Sequence, residues 1–265
     1  MDLSKVKLVV SDMDGTLLNS KHEVSDRFFV QFKELKERGI LFAAASGRQY
    51  HSIVHKLKPI KEDIIVIAEN GGFAMQQDRE ILSTPLPNIK KNEILSLLEK
   101  LDGIHVVLCG KQRAHLLRSD LIFVNKLKEY YNEYELLGDL KTFDGEILKI
   151  AIYHPESSEH FIYPAVHHLE GELKVKVSGA NWVDISSPNA HKGYALDIVQ
   201  KENGITPAET MVFGDYNNDL EMLALADFSF AMENAHPTVK KVANYNTASN
   251  DDFGVELILD KLIGK

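Results

Sequence analysis

The feature that most constrains how this chain can fold is an alternation near its start. Short branched and aliphatic runs, each the length of one strand, are separated by stretches with helical apolar spacing. Residues 6–11 read as a buried strand, and residues 24–38 as an amphipathic helix with Val24, Phe28, Phe29, Phe32 and Leu35 on one side. Ser25 is placed to cap that helix and Gly39 to stop it. A second strand follows at 40–45, a helix at 49–57 and a third strand at 64–68. The last quarter repeats the pattern: helix 191–203, strand 210–213, helix 218–226, strand 228–231 and a final helix at 252–262. Strands and helices alternating at this spacing predict a parallel sheet built from right-handed crossovers.

The middle of the chain breaks the pattern. It predicts helix 89–101, strands 104–109 and 114–117, helix 121–131, strand 148–153, helix 156–169 and strand 173–178. Neighbouring strands with segregated helices suit a separate α+β unit. Residues 1–83 and 185–265 are therefore expected to form one domain, and residues 84–184 an insertion within it.

Composition removes several classes of function. The chain has 265 residues, 44% hydrophobic and 26% charged, as in an ordinary globular protein with its own core. One cysteine, Cys109, permits neither an internal disulfide nor a thiolate zinc site. The longest wholly apolar run, residues 40–45, is far short of a membrane span. The start of the chain runs directly into a strand, which leaves no room for a signal peptide. A net charge of −9 disfavours nucleic acid, whose binding rests on clustered positive charge. The expectation is a cytoplasmic protein acting on a small molecule, with no membrane or nucleic-acid partner.

Four clusters carry the chemistry. Ser11-Asp12-Met13-Asp14-Gly15-Thr16 follows the first strand directly. In an open parallel sheet, ligands bind beyond the carboxyl ends of strands. Two acids at i and i+2 there repel unless a cation or a shared proton compensates; taken alone, an ordinary Asp-Gly turn explains them as well. Gly214-Asp215-Tyr216-Asn217-Asn218-Asp219 follows strand 210–213, and in isolation a solvated loop accounts for it equally. Two acidic strand ends some 200 residues apart are harder to dismiss, and a hard divalent cation, Mg²⁺ above all, is the simplest compensation. Ser46-Gly47-Arg48 puts a hydroxyl and backbone N–H groups at a third strand end, where a helix cap is the competing reading. Lys192-Gly193 opens the helix after the insertion, where a lysine adds positive charge to an anion-binding end. Acids, a hydroxyl, a lysine and a cation together suit phosphoryl as the electrophile.

In order and separation, Asp12-Met13-Asp14-Gly15-Thr16, Ser46-Gly47-Arg48, Lys192-Gly193 and Gly214-Asp215-Tyr216-Asn217-Asn218-Asp219 resemble the four motifs of the haloacid-dehalogenase (HAD) superfamily of phosphohydrolases. The insertion resembles the large cap of its Cof-type (type IIB) branch, and Glu69-Asn70-Gly71-Gly72 and Met232-Glu233-Asn234-Ala235 are further matches. Ser46 stands where the family often has Thr, and His191 precedes Lys192 in a run that many members fill with smaller residues. The resemblance implies an α/β fold, a Rossmann-like parallel-sheet core with a smaller inserted α+β cap domain.

It further implies a Mg²⁺-dependent phosphatase acting on small phosphorylated metabolites, sugar phosphates or phosphorylated cofactors, through an aspartyl-phosphate. By the resemblance, Asp12 is the nucleophile and Asp14 the general acid and base. Asp12, the Asp14 backbone carbonyl, Asp215 and Asp219 hold the metal, with Asp219 either a direct ligand or one step removed. Met13 and Gly47 backbone N–H groups, Ser46, Lys192 and Asn218 bind phosphate. Two other readings compete: a phosphomutase of the same fold, and a receiver-like phosphoacceptor module. The second needs only about 120 residues and has neither an insertion nor an acid at the position of Asp14. A monomer and a dimer are both compatible with the sequence. Arg113, His115 and Arg118 in the insertion are open between substrate contact and a solvated face, while Trp182, Tyr130 and Tyr131 read as packing residues.

Overall fold

The computed structural model describes residues 2–120, 123–128, 131 and 133–265, and the chain separates into two compact units. Residues up to 47, 53–82 and 191–265 form the first; residues 48–52 and 83–190 form the second.

The chain enters the first unit with β1 (Leu8–Asp12), buried along its whole length, and α1 (Asp26–Glu37). Ser25 caps α1 as expected, its Oγ accepting the Phe28 N–H at 3.1 Å. Phe28, Phe32 and Leu35 turn inward, and Phe28 packs on Phe42 of β2 (Leu41–Ala45) at 5.1 Å between ring centroids. α2 (Tyr50–Lys56) and β3 (Ile65–Ala68) follow. Two strands come next that the sequence pattern did not predict, β4 (Phe73–Gln76) and β5 (Arg79–Ser83). β4 pairs antiparallel with β3, and neither new strand has the branched, alternating composition that marks its neighbours.

The second unit holds α3 (Asn88–Leu98), β6 (His105–Gly110), β7 (Ala114–Leu117), α4 (Val124–Leu127), β8 (Tyr134–Leu137) and β9 (Ile147–Tyr153). The predicted helix 121–131 falls partly outside the described residues. α5 (Ser158–Phe161) and α6 (Tyr163–Val166) replace the single helix expected over 156–169. Pro164 has no N–H to continue an α-helical ladder, so the segment is cut into short pieces. β10 (Lys174–Gly179) and β11 (Trp182–Ser186) complete a six-stranded sheet ordered β10-β11-β9-β6-β7-β8, antiparallel except for β7 against β8. β11 was not expected.

The return to the first unit adds α7 (Lys192–Asn203), β12 (Thr210–Gly214), α8 (Leu220–Leu223), β13 (Phe228–Ala231), α9 (Pro237–Val242), β14 (Tyr245–Asn246) and α10 (Gly254–Ile263). Its eight-stranded sheet is ordered β14-β13-β12-β1-β2-β3-β4-β5, and β14 through β3 run parallel. This is the parallel-sheet α/β core that the alternation predicted. In register, Ser11 lies opposite Phe213 and Asp12 opposite Ala45, so the carboxyl ends of β1, β2 and β12 meet at the centre of the sheet. Among the described residues no helix is long and apolar enough to cross a membrane.

Candidate active site

The carboxyl ends of the central strands gather the residues singled out by the sequence. Asp12 is the last residue of β1 and is 5% exposed. Met13 turns back into the core, fully buried, and its carbonyl accepts the Leu18 N–H at 2.8 Å, which closes a tight turn. Gly15 sits inside this turn at φ +80°, where a Cβ would come within 2.3 Å of Asp215 Oδ2. Glycine is required there on both counts, conformation and space.

Asp215 follows β12. Thr16 Oγ1 donates to its Oδ1 at 3.3 Å, tying the first motif to the last. Asp219 is fully buried, and its Oδ2 accepts the backbone N–H groups of Asp215 at 2.9 Å and Tyr216 at 3.0 Å. Those bonds hold the loop in a closed turn and delay the following helix. α8 therefore starts at Leu220 and spans four residues, where the sequence pattern suggested residues 218–226.

Lys192, the first residue of α7, is fully buried between two acids, with Nζ 2.5 Å from Asp12 Oδ1 and 2.7 Å from Asp219 Oδ1. His191 gains a local role: it is the N-cap of α7, and its Nδ1 accepts the Tyr194 N–H at 3.1 Å. The backbone at His191 and Lys192 is approached closely by Gly71, at φ +93°, where a Cβ would lie 2.3 Å from the His191 carbonyl.

Asp12, Asp215 and Asp219 each offer an oxygen within 4.8 Å of the other two. Three carboxylates against one ammonium leave an excess of negative charge. Burial pushes the Asp12 pKa well above the carboxylate range, and Asp219 and Asp215 reinforce the shift against the pull of Lys192. Burial and Asp219 raise Asp215 to about 6. Burial opposes the charge on Lys192, but Asp12 and Asp219 outweigh it and hold its pKa above the ordinary lysine value. Asp12 Oδ2 is buried without a hydrogen-bond partner. An orphaned carboxylate oxygen, surplus negative charge and an all-oxygen donor set fit a hard divalent cation.

The remaining predicted residues lie around this nest. Ser46 is buried just beyond β2, its N–H donating to the Ile67 carbonyl at 2.9 Å. Asn218 Nδ2 donates to Asn70 Oδ1 at 3.0 Å, and Asn70 N–H donates to the Ser46 carbonyl at 2.9 Å. Gly47 also faces the Asn70 side chain. The Asp14 carboxylate stands outside the three-acid cluster, 40% exposed, with Oδ1 3.3 Å from His22 Nδ1. Thr16, His22 and Asn70 were not among the predicted site residues. Asn70 had a signal, since Glu69-Asn70-Gly71 follows a strand, and both Glu69 and Asn70 adopt positive φ, at 51° and 56°. His22 had none.

In the second unit, His115 is buried, its ring 4.0 Å from that of Phe143, and burial lowers its pKa. Its Nδ1 lies 3.4 Å from Glu135 Oε2, so a solvated face does not describe it, whereas Arg113 and Arg118 are exposed. Trp182 packs on Tyr153 at 5.0 Å, and Tyr131 is buried beside Cys109, Oη to Sγ 3.0 Å, as packing residues should be. Tyr130 lies outside the described residues.

The profile of the haloacid dehalogenase-like hydrolase family matches residues 9–259. The chain is 31% identical over 261 residues to the 5-amino-6-(5-phospho-D-ribitylamino)uracil phosphatase YbjI of Escherichia coli (strain K12), covering 97% of this chain and 96% of that protein. Among solved structures, SMU.1108c from Streptococcus mutans UA159 matches with a TM-score of 0.88 and 30% identity, over 98% of this chain and 100% of the other. The HAD subclass IIB sugar phosphatase BT4131 shares the fold, with a TM-score of 0.81 at 20% identity over 98% and 99% of the two chains.

Proposed function

We infer, for a chain that belongs to the haloacid dehalogenase-like hydrolase family and is a phosphatase, that Asp12 is the nucleophile of a two-step hydrolysis of small phosphorylated metabolites. The observation that carries this reading is the buried nest itself: Asp12 held through one oxygen by Lys192, its other oxygen uncommitted, with Asp215 and Asp219 beside it.

An Asp12 carboxylate oxygen attacks phosphorus in line, the ester P–O bond breaks, and an aspartyl-phosphate forms. Asp14 gives its proton to the departing alkoxide. Asp14 then takes a proton from the water that attacks phosphorus, and the Asp12 O–P bond breaks to release phosphate. Such acid–base assistance is typically worth roughly 10²–10⁴-fold. Lys192 holds Asp12 in place and, with the Ser46 hydroxyl, the Met13 and Gly47 N–H groups and the Asn218 amide, receives the phosphoryl oxygens. Asn70 sets the orientation of Asn218.

The Asp12 and Asp215 side chains and the Asp14 backbone carbonyl would hold Mg²⁺. Asp219, already accepting from two N–H groups and Lys192, holds the other partners in position. When bound, the cation neutralises the approach of an anionic ester to an anionic nucleophile. We assign residues 1–83 and 185–265 to the catalytic core, and residues 84–184 to the inserted domain.

A small phosphorylated substrate is supported by the relative named as a 5-amino-6-(5-phospho-D-ribitylamino)uracil phosphatase. The test is a phosphate-release screen with Mg²⁺ over that compound, sugar phosphates and other phosphorylated metabolites, with Asp12→Asn as the blank. Release by the natural chain and none by the variant is the expected result. Equal release by both removes Asp12 as the nucleophile.

A further inference from the structure

His22 lies eight residues beyond Asp14 in the chain, yet its Nδ1 is 3.3 Å from Asp14 Oδ1. The contact is made at a conformational cost. His22 adopts φ +58°, in the left-handed region that a residue with a Cβ occupies only when its surroundings impose it.

The surroundings do impose it. His22 N–H donates to the Asn19 carbonyl at 2.8 Å, and Asn19 N–H to the Glu23 carbonyl at 3.0 Å. Asn19 Oδ1 accepts the N–H groups of Lys21 at 2.9 Å and Glu23 at 3.0 Å. Lys56 Nζ donates to the His22 carbonyl at 2.6 Å. Asp251 Oδ1 and Asn250 Nδ2 pin the preceding residues through the Ser20 N–H and the Leu18 carbonyl, at 2.8 and 2.9 Å. The loop is thus closed by its own backbone and by two other segments of the first unit. The residue left in the strained conformation is the one that reaches Asp14.

We propose that His22 is a positioning residue for Asp14: its Nδ1–H donates to Oδ1 and fixes the orientation in which the carboxyl group meets the reacting groups. The proposal rests on the reading of Asp14 as general acid and base. In the first step the proton passes from the Asp14 carboxyl group to the ester oxygen as the P–O bond breaks. In the second it passes from the attacking water back to the Asp14 carboxylate. His22 acts only through this hydrogen bond, so it is not itself a catalytic acid.

The test uses two substitutions that both tolerate positive φ. His22→Gly removes the donor without backbone strain, and His22→Asn supplies an amide N–H in its place. The readout is kcat/KM, which reports events up to formation of the aspartyl-phosphate, for an alkyl phosphate and for p-nitrophenyl phosphate. The nitrophenolate leaves without a proton, so only the alkyl ester depends on a well-aimed Asp14. His22→Gly is expected to lower kcat/KM for the alkyl ester by about 10-fold, leave the nitrophenyl ester within about 2-fold, and recover most of the loss as His22→Asn. Equal losses on both esters, no loss on the alkyl ester, or an Asn variant no better than the Gly variant would each overturn the proposal. Asp14→Asn, measured alongside, separates the two ideas. If it too shows no dependence on the leaving group, the acid role of Asp14 fails; if it does and His22→Gly does not, only the role of His22 fails.

Discussion

Asp12 and Asp14 belong to one short motif and have the same side chain, yet they occupy opposite environments. Asp12 ends a fully buried strand, is 5% exposed and shares Lys192 with Asp219. Asp14 is two residues further on, past a methionine that plugs back into the core, and its side chain is 40% exposed beside an imidazole. A carboxylate enclosed with a lysine and other acids is suited to stay in place and attack. One at the rim, exposed to solvent beside an imidazole, is suited to carry protons in and out. On the proposed assignment, environment divides the labour between two identical groups.

The sharpest break of this contrast is Asp12→Asn. Turnover should fall by about 10⁴-fold or more, since loss of a nucleophile removes the covalent route. The thermal midpoint of the metal-free protein should hold or rise, because one of three crowded acids is gone; a collapsed midpoint would show that Asp12 is held for stability instead.

Asp14→Asn should cost roughly 10²–10⁴-fold in kcat/KM on alkyl phosphates and far less on p-nitrophenyl phosphate. Parallel losses on the two esters would give both acids the same kind of role.

Gly15→Ala places a Cβ 2.3 Å from Asp215 Oδ2 at φ +80°. It should weaken Mg²⁺ binding by about 10-fold, measured by calorimetry, and destabilise the fold by about 1–3 kcal/mol. Unaltered Mg²⁺ affinity would detach Asp215 from the metal site.

The smallest effect expected is a dependence on pH. Asp215 is raised from 3.8 to about 6, so without metal the folded protein binds a proton that the unfolded chain releases. Its contribution to stability is therefore present at acid pH and lost as pH rises through about 6. Above that value the carboxylate is free to ligate. The rise in thermal midpoint on adding Mg²⁺ should be larger at pH 7.5 than at pH 5.5, by a few degrees. A rise independent of pH would exclude Asp215 as a ligand.

Much of the core was legible from residue spacing because parallel strands buried on both faces read as nearly continuous apolar runs. β1, β2, β3 and β12 all have this signature; Asp12 ends the first of them and Asp215 directly follows the last. β4, β5 and β11 escaped because Phe73-Ala-Met-Gln, Arg79-Glu-Ile-Leu-Ser and Trp182-Val-Asp-Ile-Ser are too short and mixed to be told from loop. The helix expected from residue 218 shrank because Asp219 spends its carboxylate on two backbone N–H groups and a lysine, a choice visible only in three dimensions.

Sequence alone determined which strands carry acids at their carboxyl ends, since local apolar patterning locates strand ends and the acidic residues follow at once. Tertiary structure decided which of those acids share a lysine and a buried nest, that His191 caps a helix, and that His22 reaches Asp14. These depend on how segments distant along the chain are brought to within a few ångströms of one another, and no local pattern of residues records such distances.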